Sequence, residues 1–190
     1  MDKVVLLDGG MGQELMKRTK TNPHPLWSAK VLLEEPNLVE NVHIDFINAG
    51  AKVITLNTYT ATPERLDRDG AEGMFNQLQD KAIEVANRAR DHCKRSDIRI
   101  AGCLPPLFGS YKPEHAPPLE ECIERYQQIS NKQAPYVDLF ICETMSSIKE
   151  AKASVTAATH HNIETWCALT VSDQLNSFLR SNESLESAII

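Results

Sequence analysis

Five short apolar runs punctuate the chain: KVVLL at residues 3–7, KVITL at 52–56, IRIAGC at 98–103, DLFIC at 138–142 and TWCAL at 165–169. Each is close to continuously apolar rather than alternating, the pattern of a strand covered on both faces. Between them the period changes. Leu38, Val42, Phe46 and Ile47 recur at helical spacing, after Pro36, which suits a first turn, and before Gly50, which suits a C-terminal stop. The same spacing relates Leu78, Ala82, Val85, Ala86 and Ala89; Leu119, Cys122, Ile123, Tyr126 and Ile129; and Ile148, Ala151, Val155 and Ala158. Strand and helix therefore alternate from end to end, and a further helix begins after the fifth strand. Such alternation predicts parallel strands joined by crossover helices.

The spacing of the runs bounds the architecture. Five strands in 190 residues is roughly 38 residues per unit, and eight such units need on the order of 300 residues, the size of a (β/α)8 barrel. The expected fold is α/β, of the (β/α)8 TIM-barrel type, with about the first five β/α units present in a single domain over residues 1–190. In the final SNESLESAII, Asn182 suits a helix cap, yet two isoleucines follow before the helix completes, as expected of the N-terminal portion of such a barrel. No internal repeat or low-complexity linker interrupts the pattern. The longest irregular stretches are 17–30, which contains NPHP, and the proline-rich 104–118. Both follow strand-and-turn positions, where loops carry function.

Charge and cysteine usage narrow the partners. A formal net charge of -6 with no long Lys/Arg block argues against general affinity for nucleic acid or an anionic membrane, and favours a small-molecule partner. No run of 18 apolar residues occurs, and Asp2, Asp8 and Glu14 interrupt the opening too early for a signal peptide, so the expected location is cytoplasmic. Five cysteines, at 93, 103, 122, 142 and 167, show no CxxC spacing and read as reduced thiols. The cluster Lys17, Arg18 and Lys20 reads as a solvated surface.

Chemistry collects where the strands end. Asp8 with Gly9 and Gly10, Asn57 with Thr58 and Tyr59, Cys103 with Pro105 and Pro106, Glu143 with Thr144, and Thr170 all fall at strand carboxyl ends, the rim at which parallel α/β folds bind ligands. Singly, each also suits a helix cap or a polar turn. The opening DGGMG begins a dinucleotide fingerprint, but Leu15 stands where the third glycine belongs and no acid closes the second strand. A P-loop Lys-Ser/Thr pair is also missing, and Asp8 would repel a phosphate. A carboxylate beside bare backbone amides suits a zwitterion, with Asp8 or Glu143 taking an ammonium and glycine N–H groups a carboxylate. Cys103 and Cys142 have no histidine at a spacing that supports a metal or a nucleophile, and read as small buried apolar groups. His160 and His161 sit at a helix end away from the rim; Trp27 suits a pocket wall or ordinary packing.

The stretches LLDGGMGQEL, PLWSAKVLLEEPNLVENVHIDFINAGAKVITLNTYTATPERL, IAGCLPPLFGSYKPE and DLFICETMSSIKEAKA together resemble, in sequence and order, the homocysteine S-methyltransferase family. The resemblance implies a barrel that moves a methyl group from a sulfonium or folate-type donor to the thiol of homocysteine, giving methionine. S-methylmethionine or S-adenosylmethionine is the expected donor. By the same resemblance, Asp8 and Gly9 bind the amino-acid end of homocysteine, Glu143 takes its ammonium, and Asn57 and Thr58 line the second-strand rim. It also implies zinc, which turns the substrate thiol into a thiolate, held by three cysteines: one after a later strand and an adjacent pair in a glycine-rich C-terminal motif. No Cys-Cys pair occurs here, so the metal ligands are expected beyond Ile190, and none is assigned to Cys103, Cys142 or Cys167. Two alternatives stand beside this reading. One is a half barrel without catalysis, acting as a binding or assembly unit and pairing with another copy through its open sheet. The other is a rim-active enzyme using Asp8 and Glu143 as an acid and base pair.

Overall fold

A computed structural model describes residues 4–19 and 27–189 of the chain, apart from the side chains of residues 27 and 28. Strands β1 (Val53–Thr55), β2 (Arg99–Leu104), β3 (Leu139–Met145) and β4 (Thr165–Leu169) form one parallel sheet in the order β1-β2-β3-β4. Consecutive order without reversal is the layout of a barrel wall; a doubly wound sheet reverses at a switch point.

The first apolar run departs from expectation. Residues 4–7 do not form a full strand: they meet β1 in a single parallel bridge, Leu7 to Val53. Flanking it, the Lys52 N–H donates to the Leu6 carbonyl (2.8 Å) and the Asp8 N–H to the Val53 carbonyl (3.0 Å). With a neighbour on one side only, the run is left open, and Val4 is 92% exposed. Its direction and its place beside β1 are nevertheless those of the expected first strand.

The predicted helices form: α3 (Pro36–Asn48), α5 (Phe75–Cys93), α6 (Leu119–Gln133) and α7 (Ile148–Thr159). The turn after Asp8 opens α1 (Met11–Arg18). Helices α2 (Trp27–Glu34), α4 (Pro63–Arg68) and the short α8 (Leu185–Ala188) complete the set among the described residues. The irregular stretch expected at 17–30 thus ends in helix; its NPHP, like Lys20 and the Trp27 side chain, lies outside the described residues. Caps mark the entries. Thr62 Oγ1 accepts the Arg65 N–H (3.3 Å) ahead of α4, and Ser147 Oγ accepts the Glu150 N–H (3.2 Å) ahead of α7.

Alternation along each strand separates two faces. Ile54, Ile100, Leu104, Phe140 and Cys142 pack under the helices in the main core, whereas Val53, Ala101, Leu139 and Ile141 form a smaller cluster with Trp166 on the opposite face. Gly102 allows the helix layer to come close: a Cβ there would lie 2.5 Å from Phe140 Cδ1 and 2.7 Å from Gln133 Oε1. The proline-rich loop after β2 is pinned from below. Tyr126 Oη donates to the Pro105 carbonyl (3.0 Å), Arg65 Nη2 to that of Pro106 (2.8 Å), and Thr62 Oγ1 to that of Leu107 (2.7 Å). The Leu107 N–H in turn donates to Glu150 Oε1 (3.0 Å). All five cysteines are free thiols, and among the described residues no helix is long and apolar enough to cross a membrane.

Candidate functional site

The site is built at the carboxyl ends of the strands. After the Leu7 bridge the chain turns through Gly9 and Gly10 into α1, whose N-cap residue Gly10 supplies no side-chain cap. The first-turn amides are therefore left to other acceptors. A Cβ on Gly9 would come within 2.8 Å of Phe46 Cε1, so the bare backbone lets this turn lie against α3. The Asp8 carboxylate is held across to β1: Oδ2 accepts the Thr55 N–H (2.7 Å) and Oδ1 the Thr55 hydroxyl (3.1 Å).

Glu143 stands near the end of β3, on the same face as Leu139 and Ile141 by strand alternation. Immediately after it, Thr144 adopts φ 62°, a left-handed conformation that a β-branched residue seldom takes, beside an irregularity in the β3–β4 register. Strain of this kind, held in place by its surroundings, recurs at ligand sites.

Asp8, Gly9, Asn57 and Glu143 line one cavity of about 650 Å³, together with Gly10, Tyr59, Met11, Met16 and Ile141. Burial raises the Asp8 carboxyl above the usual carboxylate range, against the two hydrogen bonds from Thr55. Glu143 is raised for the same first reason. A hydrogen bond from Cys103 opposes the rise, the nearby negative charge of Asp8 adds to it, and the Arg65 guanidinium opposes it. Among the described residues neither carboxylate forms a salt bridge. Asn57 is 6% exposed, and its Nδ2 has no hydrogen-bond acceptor among those residues. Two partly buried acids and one buried unpaired donor thus face a common space, a set that a ligand bearing both an ammonium and an oxygen acceptor would satisfy.

Thr58 is placed differently from its neighbours. It is buried outside the cavity lining, and its Oγ1 accepts from Gln133 Nε2 (3.2 Å). Fully buried Gln133 was not visible as a site-building residue, because it falls within the ordinary pattern of α6. It clamps both backbone groups of Cys103: its Oε1 accepts the N–H (2.9 Å) and its Nε2 donates to the carbonyl (3.3 Å). Cys103 is also more than a small apolar filler, since its Sγ donates to Glu143 Oε1 at 3.0 Å.

A metal finds no seat in this set. Among the described residues there is no group of three or more His, Cys, Asp or Glu able to hold one. Cys142 and Cys167 are register partners on neighbouring strands, and burial pushes the Cys142 thiol up to about 12, away from the thiolate a metal needs. The residues present do not fit the expected zinc.

Fold and cavity define a parallel α/β protein of barrel type with a cavity at the carboxyl rim of the sheet. A family model described as homocysteine S-methyltransferase matches residues 5–190. The homocysteine S-methyltransferase of Escherichia coli (strain K12) is 30% identical over 185 residues, 90% of this chain and 59% of that protein. The selenocysteine Se-methyltransferase of Brassica oleracea var. italica is 37% identical over 97 residues, 48% of this chain and 28% of that protein. Among solved structures, the metallated form of the homocysteine methyltransferase MmuM from Escherichia coli superposes with a TM-score of 0.86 at 28% identity, covering 97% of this chain and 68% of that one. Its apo form gives 0.75 at 25% identity, covering 98% and 66%. The chain belongs to the homocysteine S-methyltransferase family. It spans 59% of the length of the Escherichia coli relative.

Proposed function

We propose that this chain provides the homocysteine site of a methyltransferase that passes a methyl group from a sulfonium donor, S-methylmethionine or S-adenosylmethionine, to the homocysteine thiol. What carries the reading is the convergence of Asp8, Glu143 and the unpaired Asn57 Nδ2 on one cavity. The substrate ammonium lies between the two carboxylates, whose raised pKa values it brings back down. Its carboxylate accepts from Asn57 Nδ2 and from the open amides of the Gly9–Gly10 turn and α1. Oriented in this way, the thiol meets the donor methyl carbon: a new C–S bond forms, the donor C–S bond breaks with its electron pair going to the donor sulfur, and the thiol proton leaves to solvent. Two carboxylates at the rim also favour a donor that carries positive charge over a neutral one. Family membership supports zinc for activating the thiol, an ion that the described residues do not hold.

Calorimetry with the purified chain tests the site. L-homocysteine is expected to bind, and the analogue lacking the amino group to bind roughly 10- to 100-fold more weakly, the range for losing a hydrogen bond between charged groups. Equal affinity for the two would remove the ammonium role of the carboxylates.

A further inference from the structure

We propose that Cys103 is a positioning residue for substrate recognition: its thiol, fixed by the Gln133 clamp on its own backbone, donates to Glu143 Oε1 and sets that carboxylate to receive the substrate ammonium. The inference rests on the homocysteine site proposed above and adds a residue to it.

Three observations converge. The Sγ to Oε1 separation is 3.0 Å, whereas the thiol of Cys122 reaches the Pro117 carbonyl at 3.4 Å. Cys103 is almost fully buried, so water does not compete for the contact. Its backbone is held at both polar groups by Gln133, whose Nε2 also reaches Thr58 Oγ1 and Gln79 Oε1 (2.8 Å), tying the ends of β1 and β2 to the helices beneath. The thiol therefore has a fixed origin: Glu143 is the acceptor it meets, and the Thr58 side chain also hydrogen-bonds it.

The charged and titratable groups that bear on Glu143 are Cys103, Asp8 and Arg65. Asp8 disfavours a second negative charge in the cavity and Arg65 favours it. Within the cavity, the hydrogen bond from Cys103 therefore helps Glu143 to stay ionised beside another carboxylate. Holding Oε1 from the sheet side also leaves Oε2 for the ligand. Cys103 itself remains a protonated donor, because burial first, and then the charge of and hydrogen bond to Glu143, raise its thiol well above the ordinary range.

The test compares the full chain with Cys103→Ala and Cys103→Ser. In the ligand-free protein, the side-chain carboxyl of Glu143, followed by NMR against pH, is expected to titrate at higher pH in Cys103→Ala and to return toward the wild-type midpoint in Cys103→Ser, whose hydroxyl restores a donor. Homocysteine affinity at neutral pH is expected to fall about three- to tenfold in Cys103→Ala, the range for one hydrogen bond, and to recover in Cys103→Ser. The acidic limb of the affinity profile should shift upward with the titration. An unmoved Glu143 midpoint in Cys103→Ala overturns the proposal, whatever the ligand does. A moved midpoint with no homocysteine binding in the wild type keeps the Cys103–Glu143 coupling but removes the function it was assigned. Should Cys103→Ala fail to fold, the S–H stretching band is read instead in Glu143→Leu, which removes the acceptor: a shift from wild type supports the contact, and an unchanged band overturns it.

Discussion

Replacing Glu143 by Gln separates what this residue does for binding from what it costs the fold. The amide is nearly isosteric, and its carbonyl oxygen can still accept from Cys103 Sγ, which lies 3.0 Å from the carboxylate it replaces. What disappears is the charge. On the binding side, a hydrogen bond between charged groups contributes about 1.5–3 kcal/mol, so the homocysteine Kd should rise roughly 10- to 150-fold at pH values where the wild-type carboxylate is ionised. On the folding side the sign is opposite. Burial, with the charge of Asp8, holds the native pKa of Glu143 above its unfolded value. Its contribution to stability is then fully present below the unfolded pKa and is lost as pH rises through the native one. Above that point the ligand-free wild type carries the whole cost of a desolvated charge, and Gln removes it. Calorimetric titration with homocysteine and thermal unfolding from pH 4 to 8 read both sides together. The expected result is weaker binding with a higher Tm near neutrality, and a Tm difference that shrinks on acidification. Unchanged affinity refutes the role of Glu143, and a lower Tm near neutrality refutes the electrostatic account of its burial.

Three further substitutions probe the surroundings. Asn57→Ala removes a buried donor that has no partner among the described residues, so ligand-free stability should stay level or rise while homocysteine affinity falls about three- to tenfold; a loss of stability with no change in affinity would make Asn57 a structural residue. Gln133→Leu strips partners from the Cys103 N–H and carbonyl, Thr58 and Gln79, and should cost roughly 4 kcal/mol or more, taking about 1 kcal/mol, the low end, for each of the stranded groups; a change below about 1 kcal/mol by chemical denaturation would dismiss the network. Gly102→Ala drives a methyl group against Phe140 and Gln133 Oε1 and should cost about 1–3 kcal/mol, read in the same assay, with a wild-type midpoint counting against the close packing described.

Periodicity carried most of the architecture. Strands β1 to β4 and helices α3, α5, α6 and α7 lie where apolar spacing put them, because each buries a face against a neighbour and that burial is written as a repeat. The first run failed as a strand for a related reason: its residues are apolar enough, but only one neighbour is present, so only Leu7 pairs. Helix α4 escaped notice because six residues give too little repeat to see, although Thr62 and Pro63 carried its capping signal. At the site, Asp8, Gly9, Asn57 and Glu143 were readable as polar groups at strand ends, and all four line the cavity. Thr58 lies outside that lining, because position along the chain does not say which face a side chain takes: one residue beyond Asn57, it meets Gln133 of α6.

The residues that escaped sequence reading are those that hold the site still. Gln133 and Cys103 touch each other across 30 positions of sequence, and no local pattern links them. Glu150 makes the point most clearly. With Ser147 it reads as a capping box, in which the acid would return to its own helix start. Ser147 does cap, but the Glu150 carboxylate accepts from Leu107 N–H and from Tyr126 Oη (3.1 Å). It thereby fixes the loop that follows β2. A side chain that could satisfy its own helix is used to brace a neighbouring loop, and Gln133 likewise braces the ends of β1 and β2 from beneath. Cavity-lining groups at the rim can then stay desolvated, because helix side chains below the sheet supply the order that those groups lack.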